Sequence, residues 1–449
     1  MKEQTKAVIG NVTDPLDYLR RPFVRFSKIE ASGGILLIIA TVAALILANS
    51  QYSEAYKLFW HKDLYIGTEF FNLEMSLLHW LNDGLMAIFF FLVGLEIKRE
   101  LLAGELSSPK QATLPISAAI GGMLIPALLF TLLNYDTAGS QGWGIPMATD
   151  IAFSLGILGL LGKRVPISLK VFLVAFAIVD DIGAVLVIAL FYTTGLEWHF
   201  VAIAGGLFIL LMLFNYFHVR YIPVYMVVGW VIWYMFLKAG IHPTIAGVLI
   251  AFTIPAKRKI RLEEFSFNLR KALDEFCDQP CHDRITLNKN QLATIDNIKY
   301  YIDRVQSPAQ SLENTLHGFV IYVIMPIFAF ANAGVVLDGF NLANFQGITL
   351  NISFSLILGK LTGIFLFAFI SVKLGIAALP RNIKWKHIIG AGFLGGIGFT
   401  MSLFISNLAF DSLVLLNQAK LGVLIGSFMA SVIGLIYLRI TLGNKFAPR

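Results

Sequence analysis

The chain has 449 residues, 57% of them hydrophobic and only 14% charged, with 37 phenylalanines and a mean hydropathy of +0.73. A soluble domain carries roughly 25% charged residues, so the composition excludes an ordinary water-soluble globule and places the chain in a bilayer. The net charge of +7 would point a soluble protein toward nucleic acid or other anionic partners; here the loops on one side of a membrane account for it, and no nucleic-acid partner is expected.

Residues 1–28 are polar and carry Lys2, Lys6, Arg20, Arg21, Arg25 and Lys28 ahead of any apolar run, so no cleavable signal peptide is expected. Apolar segments then fall near 29–48, 78–97, 112–133, 146–162, 167–193, 199–216, 222–237, 240–254, 315–337, 350–372, 387–409 and 415–440. Each approaches the roughly 20 residues a spanning helix needs. The expected fold is an all-α polytopic membrane protein of about 12 transmembrane helices.

Helices 1–8 are assigned to 29–254 and helices 9–12 to 315–442. Within 50–77, "YKLFWHKDLYIGTEFF" is rich in aromatic and β-branched residues around Gly67 and reads as a small external β-hairpin. The segment 255–314 is a long hydrophilic loop whose "RLEEFSFNLRKALDEF" has the spacing of one amphipathic helix. It holds both cysteines, Cys277 and Cys281, too few and too close for a disulfide framework. With His282 they lack the fourth ligand of a zinc site. Residues 443–449 form a short tail.

An even number of spans puts both termini on one side. All but five of the 35 Lys and Arg then fall in the loops and termini of that side, with Lys57, Lys62, Lys238 and Lys420 on the other. This asymmetry makes both termini cytoplasmic. The fifth, Lys360, lies inside an apolar span, as do Asp150, Asp180 and Asp181. Charges in hydrocarbon cost at least a few kcal/mol each and usually face a cavity or a partner. A structural ion pair could explain any one of them, but four together point to function.

In "VFLVAFAIVDDIGAVLVIALFYT" the two aspartates sit mid-span. Neighbouring helical positions differ by about 100°, so both can border one cavity without pointing along one line. Two like charges this close do not both ionise without a counter-cation. The pair should therefore bind protons or a cation. "GWGIPMATDIAFSLGIL" and "IIGAGFLGGIGFTMSLFI" have the Gly and Pro content of interrupted helices, whose ends present partial charges that Asp150 and Lys360 could offset. Broken spans in corresponding halves of a chain are a pointer to an ion site at mid-membrane.

The motifs "GLEIKRE" (94–100), "ATDIAF" (148–153), "IVDDIGA" (178–184), "MPIFAFANAGV" (325–335) and "GFLGGIGFTMSLFI" (392–405) resemble those of the NhaA sodium/proton antiporters, from about Phe26 to the last span. The resemblance implies inverted three-helix repeats with two discontinuous crossing helices. It implies that Asp180 and Asp181 carry the protons and bind the transported Na⁺, the only metal role expected. Thr149 and Asp150 would lie beside the crossing, and Lys360 would pair with an aspartate when no cation is bound. Family pH-response positions fall on Glu96, Arg99, Glu100, His242 and Glu313, with Asp83 on the opposite side.

The expected activity is electrogenic, pH-regulated exchange of intracellular Na⁺ or Li⁺ for external protons in a bacterial inner membrane, serving sodium and pH homeostasis. The protein would be no enzyme, would need no cofactor, and would be a homodimer joined through the hairpin 50–77 with membrane lipids around it. Loop 255–314 departs from the family's compact pattern. The runner-up is a sodium-coupled symporter of an organic anion received by Lys360. An intramembrane aspartyl protease is disfavoured because it needs its aspartates on separate helices and a G-x-G-D motif absent here, and "LLGKR" (160–164) lacks the rest of an ATP-binding loop.

Overall fold

The structure is a computed structural model that describes residues 32–68, 71–193, 195–277, 286–336, 347–380 and 382–443. In chain order it begins with α1 (Ser32–Ala48), a short helix α2 (Ser53–Trp60) bent 116° from it, and an antiparallel hairpin of β1 (Asp63–Thr68) and β2 (Phe71–Ser76). The hairpin pairs Asp63 with Ser76 and Thr68 with Phe71. A π-helical turn, Trp80–Leu85, leads into α3 (Met86–Ala103).

Two groups of three passes follow the same plan. The first is α4 (Pro109–Leu133), an interrupted pass made of a 3-10 helix (Ser140–Met147) and α5 (Ile151–Leu160), and α6 (Ile167–Phe191). After α7 (Trp198–Tyr216), α8 (Ile222–Ala239) and α9 (Pro243–Thr253) come two helices of the long hydrophilic segment, α10 (Leu262–Cys277) and α11 (Lys289–Val305). The next pass runs from α12 (Pro308–Phe319) through a π turn (Val320–Ile324) into α13 (Met325–Asn332). The second group is α14 (Ile348–Phe354) with a π turn (Ser355–Gly359) and α15 (Lys360–Lys373), then the interrupted pass α16 (Trp385–Gly395) and α17 (Phe399–Ala409), then α18 (Leu413–Leu442).

Seven continuous helical stretches, two of them running through a π turn (Pro308–Asn332 and Ile348–Lys373), are long and apolar enough to cross a membrane, and up to ten if each bent pair is one span. With α3 and the short apolar α9, the passes match the dozen expected from hydropathy. This is an all-α multi-pass membrane protein, and the hairpin is the one sheet among the described residues.

The two groups are inverted relative to each other. Along the α4–α15 contact, Ser117 bonds Ser371 (3.2 Å), Gly121 meets Gly363, and Asn351 Nδ2 of α14 donates to Asn134 Oδ1 (3.0 Å). One number rises as the other falls, so the first members run antiparallel. Their closest approach is reciprocal: a Cβ on Gly121 would lie 2.3 Å from the Gly363 carbonyl oxygen, and one on Gly363 would lie 2.1 Å from that of Gly121. Only glycine lets the two backbones touch, as small residues do at membrane helix interfaces.

On the other side of the molecule α3 runs parallel to α9. At one end the Lys98 ammonium donates to the carbonyls of Phe252 (2.6 Å) and Ile254, closing the C-terminus of α9. At the other end His242 approaches Asp83 at 3.6 Å.

Within 255–314 the structure holds two helices where the sequence pattern suggested one. The signals for α11 are in the sequence: Asn288 and Gln291 form a reciprocal capping box, a strong helix start, and Leu292, Ile295, Ile298 and Ile302 recur at helical spacing. The following helix α12 already begins at Pro308, where the Ser307 hydroxyl accepts from Gln310 N–H (3.2 Å). Cys281 and His282 lie outside the described residues.

Replacing Gly363 with Val should push α4 and α15 apart and cost about 2 kcal/mol or more, as overpacking against backbone does. Gly206→Ala, where a Cβ meets nothing within 4 Å, should be nearly silent. Thermal unfolding of the purified protein in detergent checks both.

Candidate ion-binding site

Each interrupted pass breaks where its sequence cannot continue a helix. Pro146 has no N–H to donate and Ala148 is extended, and Gly395, Gly396 and Gly398 weaken the other pass. The halves are bent by 43° in the first pass and 45° in the second. The breaks cross, and their freed backbone groups are bonded across the crossing rather than to water. Asp150 N–H donates to Ile397 O (2.7 Å). Hydroxyls take the carbonyls at the ends of the first halves: Thr149 Oγ1 donates to Gly395 O (2.7 Å), Ser154 Oγ to Leu394 O (2.8 Å) and Ser402 Oγ to Ile145 O (2.7 Å).

The starts of the second halves converge on one carboxylate. Asp150 Oδ1 accepts from Phe153 N–H at the start of α5 (2.9 Å), and Oδ2 accepts from the N–H (3.2 Å) and hydroxyl (2.5 Å) of Thr400 at the start of α17. One buried anion thus serves two positive helix ends, each worth up to ~2 kcal/mol in a partly buried setting. Phe399 N–H, next along α17, donates to Ser427 Oγ of α18 (3.0 Å).

Beside this crossing lie Asp180 and Asp181 of α6, with 1% and 2% of their surface exposed, and Lys360 of α15 with 0%. Lys360 Nζ donates to Asp180 Oδ2 (2.7 Å) and to Thr149 Oγ1 (2.9 Å), and lies 5.6 Å from the centre of the Phe176 ring. Because the Thr149 hydroxyl in turn donates its hydrogen bond to Gly395 O, the ammonium is linked both to an aspartate and, through a hydroxyl, to the negative end of α16. The oxygens left over are Asp180 Oδ1 and Asp181 Oδ1, which are buried with no hydrogen-bond partner. Unbonded polar atoms in such a place are costly. Two hard carboxyl oxygens on one helix, free of donors, are of the ligand type a small hard cation prefers.

The remaining positions separate into two groups. At the C-terminal end of α3, Arg99 bonds Glu313 of α12 and, at 3.0 Å, Glu100, while Glu96 faces His317 at 3.6 Å. These residues lie at or near a cavity of about 1320 Å³ whose walls include Arg99, Glu100 and Glu313. His242 is not among them: it stands at the start of α9 with Asp83 and bonds the Thr244 hydroxyl (2.9 Å). His317, Ser154, Ser402 and Ser427 were not singled out from the sequence. His317 follows Glu313 by four positions on one helix, a spacing that places it on the same face. The serines carry no local signal. Among the described residues no group of three or more His, Cys, Asp or Glu is arranged to hold a resident metal.

Residues 24–438 match the family described as Na⁺/H⁺ antiporter 1. The chain is 47% identical, over 97% of its length and 97% of the relative's, to a protein of Oleidesulfovibrio alaskensis named Na(+)/H(+) antiporter NhaA. It is 48% identical over 93% of its length to Na(+)/H(+) antiporter NhaA 2 of Syntrophotalea carbinolica, covering 96% of that protein. A Bacteroides fragilis protein named Na(+)/H(+) antiporter NhaA is 46% identical over 94% of this chain and 98% of its own. With the inverted groups, the crossed breaks and the paired aspartates, these matches establish that the chain belongs to the NhaA family of Na⁺/H⁺ antiporters.

Proposed function

We propose that the chain is a secondary active transporter that exchanges cytoplasmic Na⁺ or Li⁺ for external protons across a bacterial inner membrane, with both termini cytoplasmic. The observation that carries this reading is the pair of unbonded aspartate oxygens beside the Lys360–Asp180 contact. In the form described here the ammonium occupies one side of Asp180. A cation entering between the carboxylates takes over the neutralisation of both, so Lys360 is released from Asp180 and the protons held by the group leave. Asp181, with no cation bonded to it, is the first ligand for Na⁺, and Asp180 is the residue that alternates between Lys360 and the cation.

Competition then supplies the coupling, because cation and protons neutralise the same two charges and do not occupy them together. If two protons leave for each Na⁺ bound, one net charge moves per cycle and the membrane potential drives exchange. Protons also set the pH response: at higher cytoplasmic pH fewer of them compete, so activity rises. Asp150 and Thr149 keep the crossing intact while the charge changes. The ionic group of Glu96, Arg99, Glu100 and Glu313 lies where cytoplasmic pH would act, and Asp83 with His242 lies toward the other side.

The hairpin is proposed to join two protomers. The symporter alternative has no support here: the family matched and the relatives reported are described as Na⁺/H⁺ antiporters.

Acid-loaded everted vesicles carrying the protein should release protons on addition of Na⁺ or Li⁺ and not K⁺. The apparent KM for Na⁺ should rise as pH falls, and collapsing the membrane potential should change the rate. Asp181→Asn should abolish release; full activity in that variant would sink the assignment. Deleting Asp63–Ser76 should leave exchange measurable while converting the purified protein from dimer to monomer in light-scattering measurements.

A further inference from the structure

α17 makes a second set of polar contacts, at the end away from Asp150. Asn407 Nδ2 donates to Asn332 Oδ1 (2.8 Å) and to Leu403 O (3.0 Å). Asn332 Nδ2 donates to Asn82 Oδ1 (3.0 Å) and to Phe328 O (3.2 Å). Both N–H groups of both amides are therefore used, and the bonds run in one direction, from α17 through α13 to the π turn before α3. Asn332 is fully buried.

This chain of amides lies far from the cavity at Arg99 and Glu313. Glu313 and Asn332 belong to one nearly continuous helical pass, and 19 residues of helix span about 28 Å. Between these two levels α17 packs through a buried aromatic side chain. Phe404 is 0% exposed, with ring centres of Phe90 at 5.6 Å, His242 at 5.3 Å and Phe328 at 6.4 Å. The far side of α13 is held as well: Tyr56 OH donates to Phe330 O (2.5 Å) and Asn49 Nδ2 to Val335 O (2.8 Å). Asn82 and Asn332 thus belong to a wall tied down from outside, whereas Asn407 belongs to the half-helix whose first turn holds Asp150.

We propose that Asn407 is a positioning residue of the exchange cycle: through Asn332 and Asn82 it latches α17 to the α3–α13 wall in the form closed at this end, and the latch opens when the ion site opens there. The inference rests on the exchange reading above. Any exchanger must expose one site alternately to two sides, so the seal at this end has to part. Apolar contacts such as those of Phe404 have no direction and survive small slides. A directed run of amide bonds has a single register, and is either made or broken. Thr400 and Asn407 are seven residues apart, about 10 Å along one helix, so the latch and the Asp150 cap move as one piece.

Removing the Asn407 donors should weaken the closed form by about fivefold, the worth of one net hydrogen bond. With Asn407→Leu, the apparent KM for Na⁺ in everted vesicles should rise about fivefold, with kcat within about twofold of the parent, and should fall in right-side-out vesicles. Asn332→Leu should do the same, and Asn407→Ser, which keeps a donor, should lie between. A cysteine at Leu408→Cys, in a Cys277→Ser, Cys281→Ser background, should react faster with a membrane-impermeant maleimide from the hairpin side when Asn407 is Leu. Unchanged KM and unchanged labelling, or a loss of kcat and thermal stability alone, would overturn the latch. If the parent protein moves no protons in response to Na⁺, the exchange reading fails by itself, and the labelling comparison still decides the latch.

Discussion

A chain that interrupts a helix within hydrocarbon must find partners for the backbone groups it frees, because no water is there to take them. That constraint shapes this protein. Two breaks are placed against each other so that each supplies what the other lacks: Asp150 N–H meets Ile397 O, three hydroxyls meet three carbonyls, and one carboxylate closes both helix starts. Without the second break the first would have several unbonded groups, each costly at this depth. The crossing is therefore stable only as a pair, which explains why the two three-helix groups recur in inverted form around it.

The charged residues follow from the same constraint. Asp150 is used up by helix starts, and so is a poor cation ligand although it is buried and acidic. Asp180 and Asp181 cap no helix start; the cation bonded to Asp180 is Lys360, and one oxygen of each aspartate is left unbonded for whatever enters. Thr149 joins the two systems, since its hydroxyl accepts from Lys360 and donates to the end of α16. A change in what neutralises Asp180 is thereby passed, through two hydrogen bonds, to the backbone of the crossing.

Much of this was legible in the sequence. Asp180, Asp181 and Lys360 were found because charge stands out in an apolar run, and the breaks because Pro146 and the glycines around 395–398 stand out in a helix. The partners of those residues were not legible. Thr149 and Gly395 are 246 residues apart, and nothing local in either tells of the other. Ser427 looks like any small residue of a membrane helix. The resemblance places His242 with Glu96 and Glu100, but α9 runs parallel to α3, so a residue at its start meets Asp83 instead. The π turns at 80–85, 320–324 and 355–359 have no compositional mark, whereas α11 does carry a local signal in its Asn288–Gln291 capping box.

The meeting of Gly121 and Gly363 constrains how such a protein can change over time. Most crowded contacts can be relieved by shrinking the neighbour when one side grows. Here both neighbours are already the smallest residue there is, and each obstructs the other through its main chain. No second-site change at either position can restore the fit. Growth on one side is tolerated only if α4 and α15 separate, and α15 begins with Lys360. A mutation at this seam, far in sequence from any aspartate, would therefore be felt first as a misplaced ammonium group.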